Sequence, residues 1–277
     1  MISKVPPPRS YLFVPGNRPD RFVKARESGA DQTILDLEDA VAESDKDAAR
    51  RYVSDYLTSG GAGIVRINAT KGRWLDDLRA CCKPGLQGVV LPKAESADAV
   101  SRVAKYVPPG VKVLPLIETA IGMTRVGDIA AVRGVERLIF GTVDFCTDLG
   151  IEGDGDELLY FRSMLVLASK AAGLTPPVDG ASVVVSDRAL LRAACARGRR
   201  LGFGGKLCIH PTQVLDVNEA YCPSLEQLVW AHKVLQSSKL YQGAFRLDGE
   251  LVDAPVIARA AELLRQARLF SEAPMET

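Results

Sequence analysis

Charged and polar residues stand where the apolar runs of this sequence stop, and their types could do chemistry together. "LDLED" ends in Asp36, Glu38 and Asp39, and "VRIN" carries Arg66 and Asn68. "VVLPK" stops at Lys93, "LIET" at Glu118, "GTVDF" at Asp144 and "LCIHP" at His210. Glu118 and Asp144 are the kind of carboxylate pair that holds a hard divalent ion such as Mg²⁺, leaving other positions to water and substrate oxygens. The alternative is a structural acid pair neutralised by Arg66. A guanidinium grips a carboxylate with two parallel hydrogen bonds. Beside a cation that polarises a carbonyl and stabilises an enolate, Arg66 suits the making or breaking of a C–C bond next to a 2-keto acid. Lys93 could in principle form a Schiff base. Its place directly after Pro92 and among several acids favours a charged lysine instead. Asp36, Glu38 and Asp39 have a simpler reading as caps of the following helix. Strand alternation points Asp36 and Glu38 to one side, where Arg66 and Lys93 could neutralise them without any catalytic part. His210, before Pro211, reads as structural.

One arrangement brings all these ends to a single place. Eight runs rich in Val, Ile and Leu (10–16, 32–39, 63–68, 88–93, 111–119, 137–145, 178–185 and 205–211) are each followed by a helix-length segment. Near-continuous apolar strands imply burial on both faces, as in a parallel sheet under helices. Eight strand–helix units predict an α/β fold of the (β/α)₈ TIM-barrel type, whose strand ends converge on one catalytic face. A doubly wound open sheet is the runner-up, but no glycine-rich fingerprint follows the first strand. "SDKDAARRYVSDYL" and "GDELLYFRSMLVLASKAAGL" read as helices, the second closed by Gly173, and another helix begins at Glu95 and Ser96. After residue 211 the alternation stops. A helix in "SLEQLVWAHKVLQSSK", a hairpin or loop around Asp248–Gly249 and a last helix from "APVIARAAELL" form an extension the barrel does not need. The expected division is a barrel over residues 1–220 and a C-terminal extension over 221–277, which caps a site or contacts a neighbouring subunit.

Composition narrows the function classes. The net charge of +1 gives no bulk attraction to nucleic acid or an anionic membrane. No apolar run reaches the roughly 18–20 residues that span a bilayer. The opening "MISKVPPPRS" lacks the apolar stretch of a signal peptide, so a cytoplasmic location is expected. With 2 histidines and 6 cysteines scattered without a CxxC pair, a Cys/His zinc site is not expected. Reduced thiols are, with Cys146 and Cys208 filling core space.

The same stretches resemble the citrate lyase beta subunit-like family, within the group of 2-keto-acid aldolases and CoA-ester lyases. "LFVPGNRPDRF", "LDLEDAV", "VRIN", "LPKAES", "IETAIGM", "GTVDF", "LGFGGKLCIHPTQV" and "GAFRLDGELVDAP" occur in the family's order across residues 9–268. The resemblance implies a (β/α)₈ barrel, assembled as homotrimers or dimers of trimers. Such enzymes cleave 3-hydroxy-dicarboxylic acyl thioesters with Mg²⁺. By position, Glu118 and Asp144 look like metal ligands, and Arg66 like the clamp on the substrate carboxylate, with Glu38 and Asp39 as its supports. The expected substrate-binding set is Arg66, Glu118, Lys93 and Arg18, the last matching a position near the phosphate-bearing arm of the thioester. Asp253 in "ELVDAP" looks like an acid/base delivered by a neighbouring subunit.

Two departures from the family pattern lie beside the pocket. Val143 stands where an acid commonly precedes the metal aspartate, and "VVVSD" replaces a strand-7 end that usually carries aspartates. The implied activity is cleavage of a citramalyl-, malyl- or citryl-CoA type thioester into an acyl-CoA and a 2-keto acid, Val143 favouring the citramalyl type. A beta subunit of a multi-protein citrate lyase, acting on an acyl-carrier-protein thioester, is the alternative, and an aldolase acting without CoA is a third.

Overall fold

The structure, a computed structural model, describes residues 6–70, 72–241 and 243–272; the first five residues of the N-terminal segment read above lie outside them. Residues Pro8–Asn218 form one compact unit and the chain from Glu219 onward belongs to another. The first unit is a closed barrel of eight parallel strands in chain order. They are β1 (Ser10–Pro15), β2 (Gln32–Asp36), β3 (Gly63–Arg66), β4 (Leu86–Leu91), β5 (Lys112–Ile117), β6 (Ile139–Phe140), β7 (Val178–Asp179) and β8 (Gly205–Cys208). Tyr11 of β1 pairs in register with Leu207 of β8 and closes the ring. The expected TIM-barrel architecture is met.

Strand alternation explains both the closure and the composition. Tyr11, Ile34, Ile64, Val90, Leu114 and Leu207 meet in the barrel interior. Their strand neighbours Leu12, Leu35, Val65 and Val89 are buried too, at 0–1% exposure, so the strands have no polar face. Each such side chain removed from water contributes about 1.5–3 kcal/mol. The helices carry the expected punctuation. Ser96 caps the helix Ala97–Tyr106 by accepting from the Ala99 amide at 3.2 Å. Gly173, at φ +69°, follows the end of the helix Leu159–Ala171, a backbone conformation that glycine adopts without penalty.

Two strands are much shorter than predicted. The run 137–145 keeps only Ile139–Phe140 as strand, and a helix, Thr142–Leu149, starts almost at once. Thr142 and Val143 are β-branched and read as strand, but Asp144 in the first turn complements the unpaired amides of a helix N-terminus. The run 178–185 keeps only Val178–Asp179. After it, Gly180 packs so closely on Thr142 that a Cβ would lie 2.1 Å from the threonine Oγ1. The Ser182 carbonyl accepts from Gln213 Nε2 at 2.8 Å instead of a ladder partner. Val183 and Val184 therefore sit in a loop and are exposed.

The second unit is built from the helix Leu225–Ser237, the antiparallel strands Phe245–Leu247 and Glu250–Val252, and the helix Ala254–Glu272. Ser224 and Gln227 form a reciprocal capping box at the first helix. The hairpin turns through Asp248 at φ +52° and Gly249 at φ +90°, the left-handed pair expected of an Asp-Gly turn. Ala231, Val234, Phe245, Val252 and Ala260 make its core. No helix of the described residues is long and apolar enough to cross a membrane.

A buried ion cluster joins the last strands of the barrel to the surrounding helices. Asp179 at the end of β7 meets Arg162 Nε at 3.0 Å and Lys206 Nζ at 3.6 Å, and all three side chains are fully buried. Burial works to raise the Asp179 carboxyl, but Lys206 and Arg162 hold it below the usual carboxylate range. Asp179→Ala would leave the buried Lys206 without a carboxylate and Arg162 with Asp154 as its one remaining acidic partner. The expected loss is about 3–5 kcal/mol, read as a lowered urea midpoint; an unchanged midpoint would show that the cluster contributes nothing net.

Candidate active site

The carboxyl ends of β2, β3 and β4 meet through charge. Asp36 and Arg66 are register partners on adjacent strands. Arg66 Nε and Nη2 donate to the two Asp36 oxygens, each at 2.6 Å, in a buried bidentate pair. Asp36 also accepts the amides of Glu38 at 2.9 Å and Ala40 at 3.1 Å, so it both caps the turn after β2 and holds the arginine. The fork of Arg66 is thereby closed on a protein carboxylate. Its remaining Nη1 edge faces Glu38 Oε2 at 3.1 Å and Asp39 at 3.8 Å. Burial opposes a charged Arg66, but Asp36, Glu38 and Asp39 raise its pKa further above the already high arginine value. The guanidinium also stacks 4.7 Å from the Phe13 ring centroid.

Lys93 spans the next gap. Its ammonium donates to Glu38 Oε1 at 2.9 Å, and its backbone amide donates to Glu118 Oε1 at 2.7 Å. Burial and the charge of Asp39 raise the Glu38 carboxyl, and Arg66 and Lys93 counter them only in part. Glu118, at the end of β5, is 2% exposed. Burial pushes its carboxyl up to about 8; the Lys93 amide opposes the shift, while the negative charges of Glu38 and Asp144 add to it. A buried carboxyl held this high lacks a sufficient counter-cation. Asp144, by contrast, is exposed in the first turn of the helix Thr142–Leu149. The sequence reading placed it at a strand end, but β6 stops at Phe140. Among the described residues no cluster of three or more metal-ligating side chains exists. Glu118 and Asp144 are close enough for the negative charge of Asp144 to raise the Glu118 carboxyl.

Other residues singled out in the sequence fall differently. Asn68 turns away to Asp77, donating through both its amide and its side chain. Arg18 is exposed and pairs bidentately with Asp20 at 2.9 and 2.8 Å. With Arg21, Lys24, Phe13 and His210 it lines a cavity of about 530 Å³. His210 caps the turn Pro211–Gln213, its Nδ1 lying 2.8 Å from Thr212 Oγ1, in keeping with the structural reading. Cys208 is buried as expected, but Cys146 is only half-buried, with Sγ 3.4 Å from the Gly153 carbonyl; it lies at the rim of the core. Asp253, in the second unit, accepts from the Val256 amide at 3.3 Å and so caps the last helix.

The sequence reading overlooked Lys46. Its buried ammonium donates to the carbonyls of Leu37 at 2.8 Å and Glu38 at 2.6 Å, fixing the loop that carries the acids. Its place eight residues after Glu38, in a helix among exposed charges, gave no signal of burial.

Both the sequence and the barrel have counterparts among known proteins. The model of the HpcH/HpaI aldolase/citrate lyase family matches residues 9–211. A citrate lyase subunit beta-like protein of Mycobacterium tuberculosis is 38% identical, over 93% of this chain and 94% of that one. A (3S)-malyl-CoA thioesterase of Cereibacter sphaeroides is 34% identical over 98% of both chains. The crystal structure of CitE from M. tuberculosis in complex with magnesium, acetoacetate and coenzyme A superposes with a TM-score of 0.85 at 36% identity, covering 96% of this chain and 100% of that one. With a family model spanning the whole barrel and relatives aligned over nearly the full length, this chain is an enzyme of the HpcH/HpaI aldolase/citrate lyase family.

Proposed function

We propose that the protein is a Mg²⁺-dependent carbon–carbon lyase that cleaves a 3-hydroxy-dicarboxylic acyl-CoA thioester, of the citramalyl-, malyl- or citryl-CoA type, into an acyl-CoA and a 2-keto acid. The observation that carries this reading is the raised, buried Glu118 carboxyl beside exposed Asp144, next to the Arg66–Lys93 charge cluster. Glu118 and Asp144 would hold the ion, which when bound polarises the oxygens of the hydroxy-acid portion. The Nη1 edge of Arg66 and the ammonium of Lys93 supply positive charge to the substrate carboxylate, while Asp36, Glu38 and Asp39 keep that arginine in place. Arg18 lies in a basic cavity suited to the phosphates of the CoA arm. A base takes the hydroxyl proton, the C–C bond electrons pass to the acyl α-carbon, and Asp253 returns a proton there. Asp253 does this from the C-terminal segment of a neighbouring subunit in a cytoplasmic trimer or dimer of trimers. Val143 in place of an acid favours a citramalyl-type substrate that yields pyruvate. The citrate lyase subunit beta of Leuconostoc mesenteroides, 30% identical over 94% of this chain, keeps a second reading in view, with a carrier-protein thioester as substrate. Purified protein assayed with citramalyl-, malyl- and citryl-CoA should release a free 2-keto acid from at least one. Release only from carrier-bound thioesters would favour the second reading, and thioester hydrolysis without C–C cleavage would refute both.

The metal reading has a pH signature. A proton on Glu118 competes with the cation, so Mg²⁺ affinity should climb as pH rises from 6 to 8, with proton release on binding, and level off above about 8. Asp144→Asn should weaken binding throughout. Titration calorimetry in buffers of different ionisation heat measures both effects. Affinity that is flat across this range would show that binding displaces no proton from Glu118.

Subunit sharing is tested by complementation. Asp253→Asn should lower kcat by roughly 10²–10⁴, the scale for losing a general acid or base, and Arg66→Ala should lower activity through the lost carboxylate clamp. Mixed after subunit exchange, the two should regain part of the activity, because some pockets then hold both intact residues. If exchange is proven and nothing is regained, Asp253 serves its own chain or only caps its helix.

A further inference from the structure

Among the described residues only two other than glycine have positive φ, Asp248 and Lys93. Asp248 sits in a hairpin turn whose geometry demands it. Lys93, at φ +47°, sits in no such turn, and a residue with a long side chain is uncommon there. Strain of this kind, of order 1–3 kcal/mol, persists only where the surroundings over-determine it. What holds Lys93 is a pair of acids: the ammonium is anchored on Glu38 Oε1, and the left-handed backbone turns the amide onto Glu118 Oε1.

The opposite side of Glu118 is walled by Gly141. A Cβ added there would lie 2.5 Å from the Glu118 Cβ and 2.7 Å from its Oε2. Real Cβ atoms do not make such contacts, so any larger residue would push the carboxylate aside. Gly141 has an ordinary φ of −89°; space, not backbone freedom, requires glycine here. One oxygen of Glu118 is thus tied to the Lys93 amide, and the other rests against the residue that opens the Asp144 helix.

We propose that Lys93 and Gly141 are positioning residues, a two-sided frame that fixes the Glu118 carboxylate in the orientation in which it would serve, with Asp144, as a ligand for the cation. The inference rests on the metal reading above. Lys93 contributes through its backbone conformation and Gly141 through the volume it leaves empty.

Mg²⁺ affinity by titration calorimetry, without substrate, tests this in three variants. Lys93→Gly and Lys93→Val both remove the ammonium, but glycine accepts the left-handed backbone and β-branched valine does not. The Val variant should bind Mg²⁺ at least about tenfold more weakly than the Gly variant. Gly141→Ala should lose about tenfold or more relative to the unaltered protein. Circular dichroism checks that each variant is folded; if Gly141→Ala is not, the Lys93 pair decides alone. Equal affinities in that pair, or a folded Gly141→Ala that binds normally, overturns the frame and leaves the metal reading standing. If the unaltered protein binds no Mg²⁺, the metal reading fails and takes the frame with it.

Discussion

The buried pairing of Asp36 with Arg66 organises the rest of the catalytic face. It is made between register partners on β2 and β3, so the strands themselves set its geometry. An arginine removed from water would be intolerable without it, since a lone buried charge costs several kcal/mol. Once closed on Asp36, the guanidinium has one free edge, and that edge draws Glu38 and Asp39 toward it. Glu38 in turn fixes the ammonium of Lys93, and Lys93 reaches Glu118. A chain of alternating charges thus runs across four adjacent strand ends, each member oriented by the one before. Lys46 and Phe13 lock the two flanks.

The chain of charges does not balance at its far end. Glu38 and Glu118 are both acids whose protonated form is favoured by burial, and one lysine and one arginine do not satisfy both. Such an imbalance is the usual mark of a site completed by something else. Two carboxylates with few protein ligands around them suit an ion that keeps water and substrate oxygens in its shell. In the proposed reading the protein would supply orientation, and the remaining coordination would be left to water and substrate oxygens.

Much of this was legible in the amino-acid order. Eight apolar runs with polar ends gave the barrel, because strands buried on both faces have a composition that few other elements share. Asp36, Glu38, Arg66, Lys93 and Glu118 were found for the same reason: a charge terminating an apolar run has nowhere to go but the strand end. Asp144 was identified on a strand that does not extend that far, because Thr142 and Val143 favour strand locally while the acid itself suits the first turn of the helix that forms there. The pairing of the Arg66 fork with Asp36 was not legible, since alternation gives the side of a strand and not the partner. Lys46 escaped because a buried lysine that satisfies backbone carbonyls looks like any helix surface lysine. The positive φ of Lys93 and the missing volume at Gly141 are properties of contacts between distant segments, and no local pattern records them.

The shortness of β6 and β7 has a mechanical meaning. β6 pairs with β7 at a single residue, Ile139 with Val178, and β7 with β8 at two, whereas β1 and β2 share five registered positions. Backbone ladders therefore contribute least on the arc of the barrel that bears Asp144 and the Val183–Val184 loop. Local opening follows the weakest stretch of a fold, so this arc is its soft seam, with the fastest amide exchange expected in its strands. Arg162, Asp179 and Lys206 lie on that seam and close it with ionic contacts where hydrogen bonds are few. The charged wall thus stands on the arc of the ring where the strands share more registered positions.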